Sequence, residues 1–178
     1  LKQLTTNDYQ MIGIFRVLIV FMFISYANAQ NQQCKCCSEN HTEFDFWVGE
    51  WTVTKPDGTL AGYNIIEKIQ DRCVLRENWS SAKGGFTGTS LNFYNGATKQ
   101  WEQIWVDNQG GSLHLKGNRV GNQMILKTDV AKNKKGEPFY HKITWTKHND
   151  GSVRQYWETI TNDKDVTVVF NGLYKKNE

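Results

Sequence analysis

From Phe44 onward, apolar and polar residues alternate with a period of two, in short runs separated by turn-forming residues. That alternation belongs to strands, whose successive side chains point to opposite faces. Turn signals recur roughly every 8–14 residues, the spacing of an all-β meander. They include Lys55-Pro56-Asp57-Gly58, Ala82-Lys83-Gly84-Gly85, Tyr94-Asn95-Gly96, Asn108-Gln109-Gly110-Gly111 and Asn149-Asp150-Gly151. Asn-Gly, Asp-Gly and Gly-Gly provide the positive φ that tight hairpins require. The pattern predicts strands over 44–53, 60–69, 73–81, 86–93, 98–107, 112–118, 123–130, 139–147, 152–160 and 165–174. No stretch has helical periodicity. The expected fold is all-β and antiparallel, a roughly ten-stranded up-and-down β-barrel over 44–175, because closure removes exposed strand edges. A two-sheet sandwich is the competing architecture.

The stretch Phe44-Asp45-Phe46-Trp47-Val48-Gly49-Glu50-Trp51-Thr52-Val53 reads as the first strand. Phe44, Phe46, Val48 and Glu50 share one face; Asp45, Trp47, Gly49, Trp51 and Val53 share the other. Aromatics on both faces imply cover on both sides at its start. Gly49 permits close approach and marks a bend or bulge. Trp47 and Gly49 are therefore assigned structural roles.

Seven tryptophans in 178 residues is a high count, and their strand positions suggest a reason. Leu75, Glu77 and Trp79 share one face; so do Trp101, Gln103, Trp105 and Asp107. Val153, Gln155 and Trp157 oppose Arg154, Tyr156 and Glu158, while His141, Ile143 and Trp145 oppose Tyr140 and Lys142. Trp mixed with an occasional Glu or Gln on one face is unusual for a dry core. An apolar pocket with a few placed polar groups is the common form of a small-molecule site. Glu77, Trp79, Trp101, Gln103, Trp105 and Trp157 are the expected ligand-binding residues. Rings would stack on the ligand, and Gln103 and Glu77 would orient it. The alternative is a filled barrel, the indole N–H groups satisfied by those same polar side chains. Glu77 and Arg154 are alternatively an interior ion pair or solvated.

Residues 11–29 have the outline of a secretory signal peptide: Met11, Arg16, the apolar run 17–24 and an Ala27-Asn28-Ala29 cleavage site. The run is short for a membrane-spanning helix. Residues 1–10 read as a mis-called start, and 30–43 as a flexible, cysteine-bearing tail. Export permits disulfides. Of Cys34, Cys36, Cys37 and Cys73, a bridge from Cys73 to Cys37 is expected, with Cys36 as the alternative partner. Soft-metal binding by Cys34-Lys35-Cys36-Cys37 is the less economical reading, since His41 is the one imidazole nearby.

A net charge of +3 is too mild to imply nucleic acid. Gly-x-Ser-x-Gly is missing, as are phosphate-cradling and dinucleotide loops. His41, His114, His141 and His148 lack metal-ligand spacing. No catalytic residue, metal or cofactor is assigned. An acid–base enzyme built on Glu77 or Glu158 is conceivable, because burial raises a carboxyl pKa.

Phe44-Asp45-Phe46-Trp47-Val48-Gly49-Glu50-Trp51 resembles the opening motif of a family of exported bacterial proteins of unknown function, which also carry a Cys shortly before it, as at Cys37. Further matching pieces are Cys73-Val74-Leu75-Arg76-Glu77-Asn78-Trp79, Trp101-Glu102-Gln103-Ile104-Trp105-Val106-Asp107 and Val153-Arg154-Gln155-Tyr156-Trp157-Glu158-Thr159. The resemblance implies a calycin-like, lipocalin-related barrel and no established activity. Gly49-Glu50-Trp51 is similar to the Gly-x-Trp of lipocalins, whose Trp packs across the closed barrel end, and this resemblance implies a structural role for Trp51. A nitrobindin-like haem barrel is similar in architecture, but its glycine-rich motif is absent here. The expected function is a secreted or periplasmic barrel that binds a small apolar or amphipathic molecule, with no membrane span in the mature chain. The alternatives are an enzyme acting on a lipid-like substrate in the same cavity, and a filled-barrel interaction module.

Overall fold

The computed structural model of the chain describes residues 34–177; the signal-peptide and start-site readings lie outside them. The barrel unit begins at Lys35. Its strands are β1 (Gly49–Thr54), β2 (Leu60–Ile69), β3 (Val74–Ser81), β4 (Thr87–Asn95), β5 (Gln100–Asp107), β6 (Ser112–Val120), β7 (Gln123–Thr128), β8 (Ala131–Lys132), β9 (Pro138–Lys147), β10 (Val153–Thr161) and β11 (Asp165–Lys176). The sheet order runs β10-β11-β1-β2-β3-β4-β5-β6-β7-β9, and β9 pairs with β10 to close the ring. All pairings are antiparallel, so the ten closing strands form an up-and-down barrel. β8 lies outside the ring and pairs with the start of β9 at Phe139 and Pro138. Two exposed residues between turns carry no alternation, so the pattern of apolar positions did not announce it.

The hairpins use the turn chemistry read from the sequence. Between β9 and β10, His148 N–H donates to Ser152 O at 2.9 Å, Gly151 supplies φ +82°, and Asp150 Oδ1 accepts from Ser152 N at 2.9 Å.

The opening stretch departs from expectation. Residues 44–47 are not strand. A helical turn, α1 (Glu39–Thr42), is followed by a 3-10 turn at Asp45–Trp47, and β1 begins only at Gly49. Trp47 N donates to Phe44 O and Val48 N to Asp45 O, both at 3.1 Å. A period of three rather than two brings Phe44 and Trp47 to the same side, their rings stacked with centroids 5.0 Å apart. Gly49, at φ +147°, makes the bend from this turn into the strand.

The result is a plug in one end of the barrel. Phe44, Trp47, Trp51, Trp101 and Trp145 are buried there. Phe44 meets Trp145 at 5.2 Å and Trp101 edge-on at 5.6 Å. Trp51 Nε1 donates to Trp47 O at 2.9 Å, and Trp101 Nε1 donates to Asn40 O at 3.1 Å. Large buried rings each contribute about 1.5–3 kcal/mol by leaving water, so this end is the main hydrophobic core. Lys68 pairs with Asp45 at 2.6 Å, fastening the plug to β2.

The plug is also covalently tethered. Cys73, in the β2–β3 turn at the same end, is bonded to Cys36. Cys36 rather than Cys37 is thus its partner: with residues 39–47 coiled into turns instead of running straight into β1, Cys36 is the residue that reaches the β2–β3 turn. Among the described residues no cysteine is free, and no group of three or more His, Cys, Asp and Glu side chains is placed to hold a metal. Disulfides of this kind are stable in an oxidising compartment. Among the described residues no helix is long and apolar enough to cross a membrane.

Candidate functional site

At the other end the barrel is hollow. A cavity of about 340 Å³ opens between the β1–β2, β3–β4 and β5–β6 turns. Liquid water takes about 30 Å³ per molecule, so the space suits roughly a dozen non-hydrogen atoms. Trp79, Trp105, Trp157 and Phe170 form its walls, Glu77, Gln103, Gln155 and Tyr174 its floor, and Lys55, Lys83 and Asp107 stand at the rim.

Five of the six expected residues line this cavity: Glu77, Trp79, Gln103, Trp105 and Trp157. Trp101 does not. It shares the inward face of β5 with Gln103 and Trp105, but at 3.3 Å per residue it lies roughly 13 Å from Trp105 along the strand, inside the plug. Arg154 faces outward; its Nε donates to Asn171 Oδ1 at 2.9 Å and its guanidinium lies 4.9 Å from the Tyr156 ring. It does not reach Glu77.

The walls leave the lumen open because their rings lie against glycines. A Cβ on Gly88 would stand 2.1 Å from the Trp105 ring, and one on Gly62 would stand 2.7 Å from the Trp79 ring. Each indole therefore folds flat over bare backbone of the neighbouring strand instead of crossing the barrel. Phe170 covers Gly172 of its own strand. Trp157 is held by its N–H, which donates to His141 Nδ1 at 3.1 Å; burial keeps that imidazole's pKa below its ordinary value, hence neutral and able to accept.

Beneath the rings runs a directed hydrogen-bond network. It starts at a backbone carbonyl, Leu75 O, which accepts from Asn92 Nδ2 at 3.1 Å. Asn92 Oδ1 must then accept, and does so from Gln103 Nε2 at 2.8 Å. Ser90 Oγ accepts from Asn92 Nδ2 at 2.9 Å and donates to Glu77 Oε2 at 2.6 Å. Asn64 Nδ2 donates to Glu77 Oε1 at 2.7 Å. Tyr174 O–H donates to Gln155 Oε1. Every donor that reaches Glu77 points at its carboxylate. Burial nevertheless dominates and raises the Glu77 pKa to about 7, the bonds from Ser90 and Asn64 opposing it. Burial, and secondarily the charge of Glu77, holds Tyr174 well above its usual range, so its phenol stays protonated. Among the described residues, nothing donates to Gln103 Oε1 and nothing accepts from Gln155 Nε2, which leaves an acceptor and a donor for the cavity that these residues line.

Asn64, Ser90, Asn92 and Tyr174 were not singled out from the sequence. The signal for them was a polar residue at an inward position, as at Asn64, buried opposite Trp79.

No family model matches the chain, and no curated protein matches it.

Proposed function

We propose that the chain is an exported β-barrel that binds a small apolar or amphipathic molecule in its lumen. The observation that carries this reading is the open cavity itself, with indole walls over a polar floor that holds an unsatisfied donor and acceptor. Such a site combines a large apolar contact with a few orienting hydrogen bonds. The disulfide supports export, as does the signal-peptide pattern at 11–29. The resemblance of the Phe44–Trp51 motif to exported bacterial proteins supports export, and that of Gly49-Glu50-Trp51 to lipocalins supports a calycin-like barrel. A space of this volume speaks against a filled-barrel module.

Titration with fatty acids, retinoids and haem, read by intrinsic Trp fluorescence, tests the proposal. Trp79, Trp105 and Trp157 in the wall should report occupancy as a shift or quench that Trp79→Ala diminishes. Silence across the panel, together with nothing copurifying from the native host by mass spectrometry, would sink it.

One observation favours an enzyme: a buried carboxyl with a pKa near neutrality suits proton transfer. Glu158 does not share that role, being paired with Lys142 at 2.7 Å away from the cavity. Glu77→Gln separates the readings, abolishing turnover of an enzyme while leaving an apolar ligand's affinity within about tenfold.

A further inference from the structure

We infer that the occupant of the lumen is a cationic amine on a small aromatic or apolar frame, its ammonium group seated on Glu77. The inference rests on the lumen-binding reading and specifies its ligand.

Glu77 is 4 % exposed, yet among the described residues no positive group reaches it. The titratable groups lining the cavity are Tyr174 on the floor, from β11, and Lys55, Lys83 and Asp107 at the rim. Asn64 from β2, Ser90 from β4, and Gln103 from β5 face it with neutral side chains. A buried acid is ordinarily paired, or left with a neighbour that takes its proton. Here the groups do the reverse: the chain from Leu75 O through Asn92 aims the Ser90 hydroxyl at one carboxylate oxygen, and Asn64 Nδ2 donates to the other. The floor is thus arranged for an anion whose counter-ion none of the described residues supplies. Gln103 Oε1 offers a second acceptor for an N–H, and Trp79, Trp105 and Trp157 present faces to a cation. Rim lysines stand in water, where charges are screened over about 8 Å. Asp107, tied to Gly111 N and Gln109 N at 2.9 Å, partly offsets them.

Calorimetric titration with 2-phenylethylamine, 2-phenylethanol and phenylacetate at pH 8 tests this. The amine should bind at least about tenfold more tightly than the alcohol, a difference of about 1.4 kcal/mol, with the acid weakest. Glu77→Gln should erase the amine's advantage over the alcohol, and a cooperative urea transition shows that the variant is folded. In the unaltered protein, amine affinity should fall as pH drops below about 7, while alcohol affinity holds. Equal binding of the three probes, preference for the acid, or an amine preference that survives Glu77→Gln overturns the inference. A response to fatty acids or retinoids with none to the three phenyl probes also overturns it, leaving the lumen-binding reading intact. Silence from every compound overturns the inference, and, with nothing copurifying from the native host, the lumen-binding reading as well.

Discussion

Replacing Glu77 by Gln keeps the shape of the side chain and deletes its ionisation, so the variant isolates the cost of a buried charge. The carboxyl has a pKa of about 7 in the folded chain against an ordinary 4.5, desolvation outweighing the donors Ser90 and Asn64. A raised carboxyl pKa means that the folded state holds the proton more tightly than the unfolded state. The stability from this source is complete below pH 4.5 and is lost as pH rises through 7. At about 1.36 kcal/mol per pKa unit, the loss is about 3 kcal/mol. The variant has no such proton to lose. In place of the carboxyl it can accept from Ser90 and, once the Asn64 amide turns over, donate to Asn64 Oδ1, an atom now buried without a partner. Urea unfolding of both proteins from pH 4.5 to pH 8 is the assay. With a urea slope of about 2 kcal/mol/M, the gap between the two midpoints should move by about 1.5 M in favour of Glu77→Gln across that range. The absolute offset at pH 4.5 is immaterial, since groups elsewhere titrate alike in both proteins. Parallel curves, with a gap constant to about 0.3 M, would refute the claim that this carboxylate is held without a counter-charge.

Three further outcomes follow from the geometry. The double variant Cys36→Ser/Cys73→Ser releases a loop spanning 37 positions and should lower unfolding stability by about 4 kcal/mol on the chain-entropy relation, measured in denaturant against the oxidised parent. Phe44→Ala empties the centre of the plug and should cost about 3–5 kcal/mol, whereas Trp79→Ala, at the cavity wall, should cost under about 2 kcal/mol and show itself in ligand titrations instead. Gly88→Ala places a methyl 2.1 Å from the Trp105 ring; the ring must lift into the lumen, at a cost of about 1–3 kcal/mol, and uptake of any ligand that fills the cavity should fall while Trp emission shifts.

Strand alternation is a local signal, and it served wherever a local rule decides. Pairings such as Glu77 with Trp79 and Gln103 with Trp105 came straight from the period of two. Height along the barrel axis is not local: Trp101 and Trp105 obey the same alternation, yet one is walled into the plug and the other lines the mouth. The turn at Asp45–Trp47 escaped for a related reason. Phe44, Trp47 and Trp51 fit an extended reading until tertiary packing rewards a tight turn that brings Phe44 and Trp47 together. The partner of Cys73 depended on that turn. The network from Leu75 O to Glu77 joins residues on β2, β3, β4 and β5, so it exists only once the register is set.

The two ends of the barrel divide the physical work. Rings at the plug are buried and tethered by the Cys36–Cys73 bond, so the closed end can supply stability that the mouth does not. The mouth then tolerates features that oppose folding: indoles with one face on a void, two amides with idle atoms, and a carboxyl that costs about 3 kcal/mol once ionised. A lumen that served as filler would be more stable with apolar side chains at 77 and 103, because well-packed apolar groups of similar volume commonly match or exceed a buried charge in stability. The costly groups all face one cavity, and the Ser90 and Asn64 donors meet on its one carboxylate. Occupancy by a cation is the arrangement in which that cost is recovered.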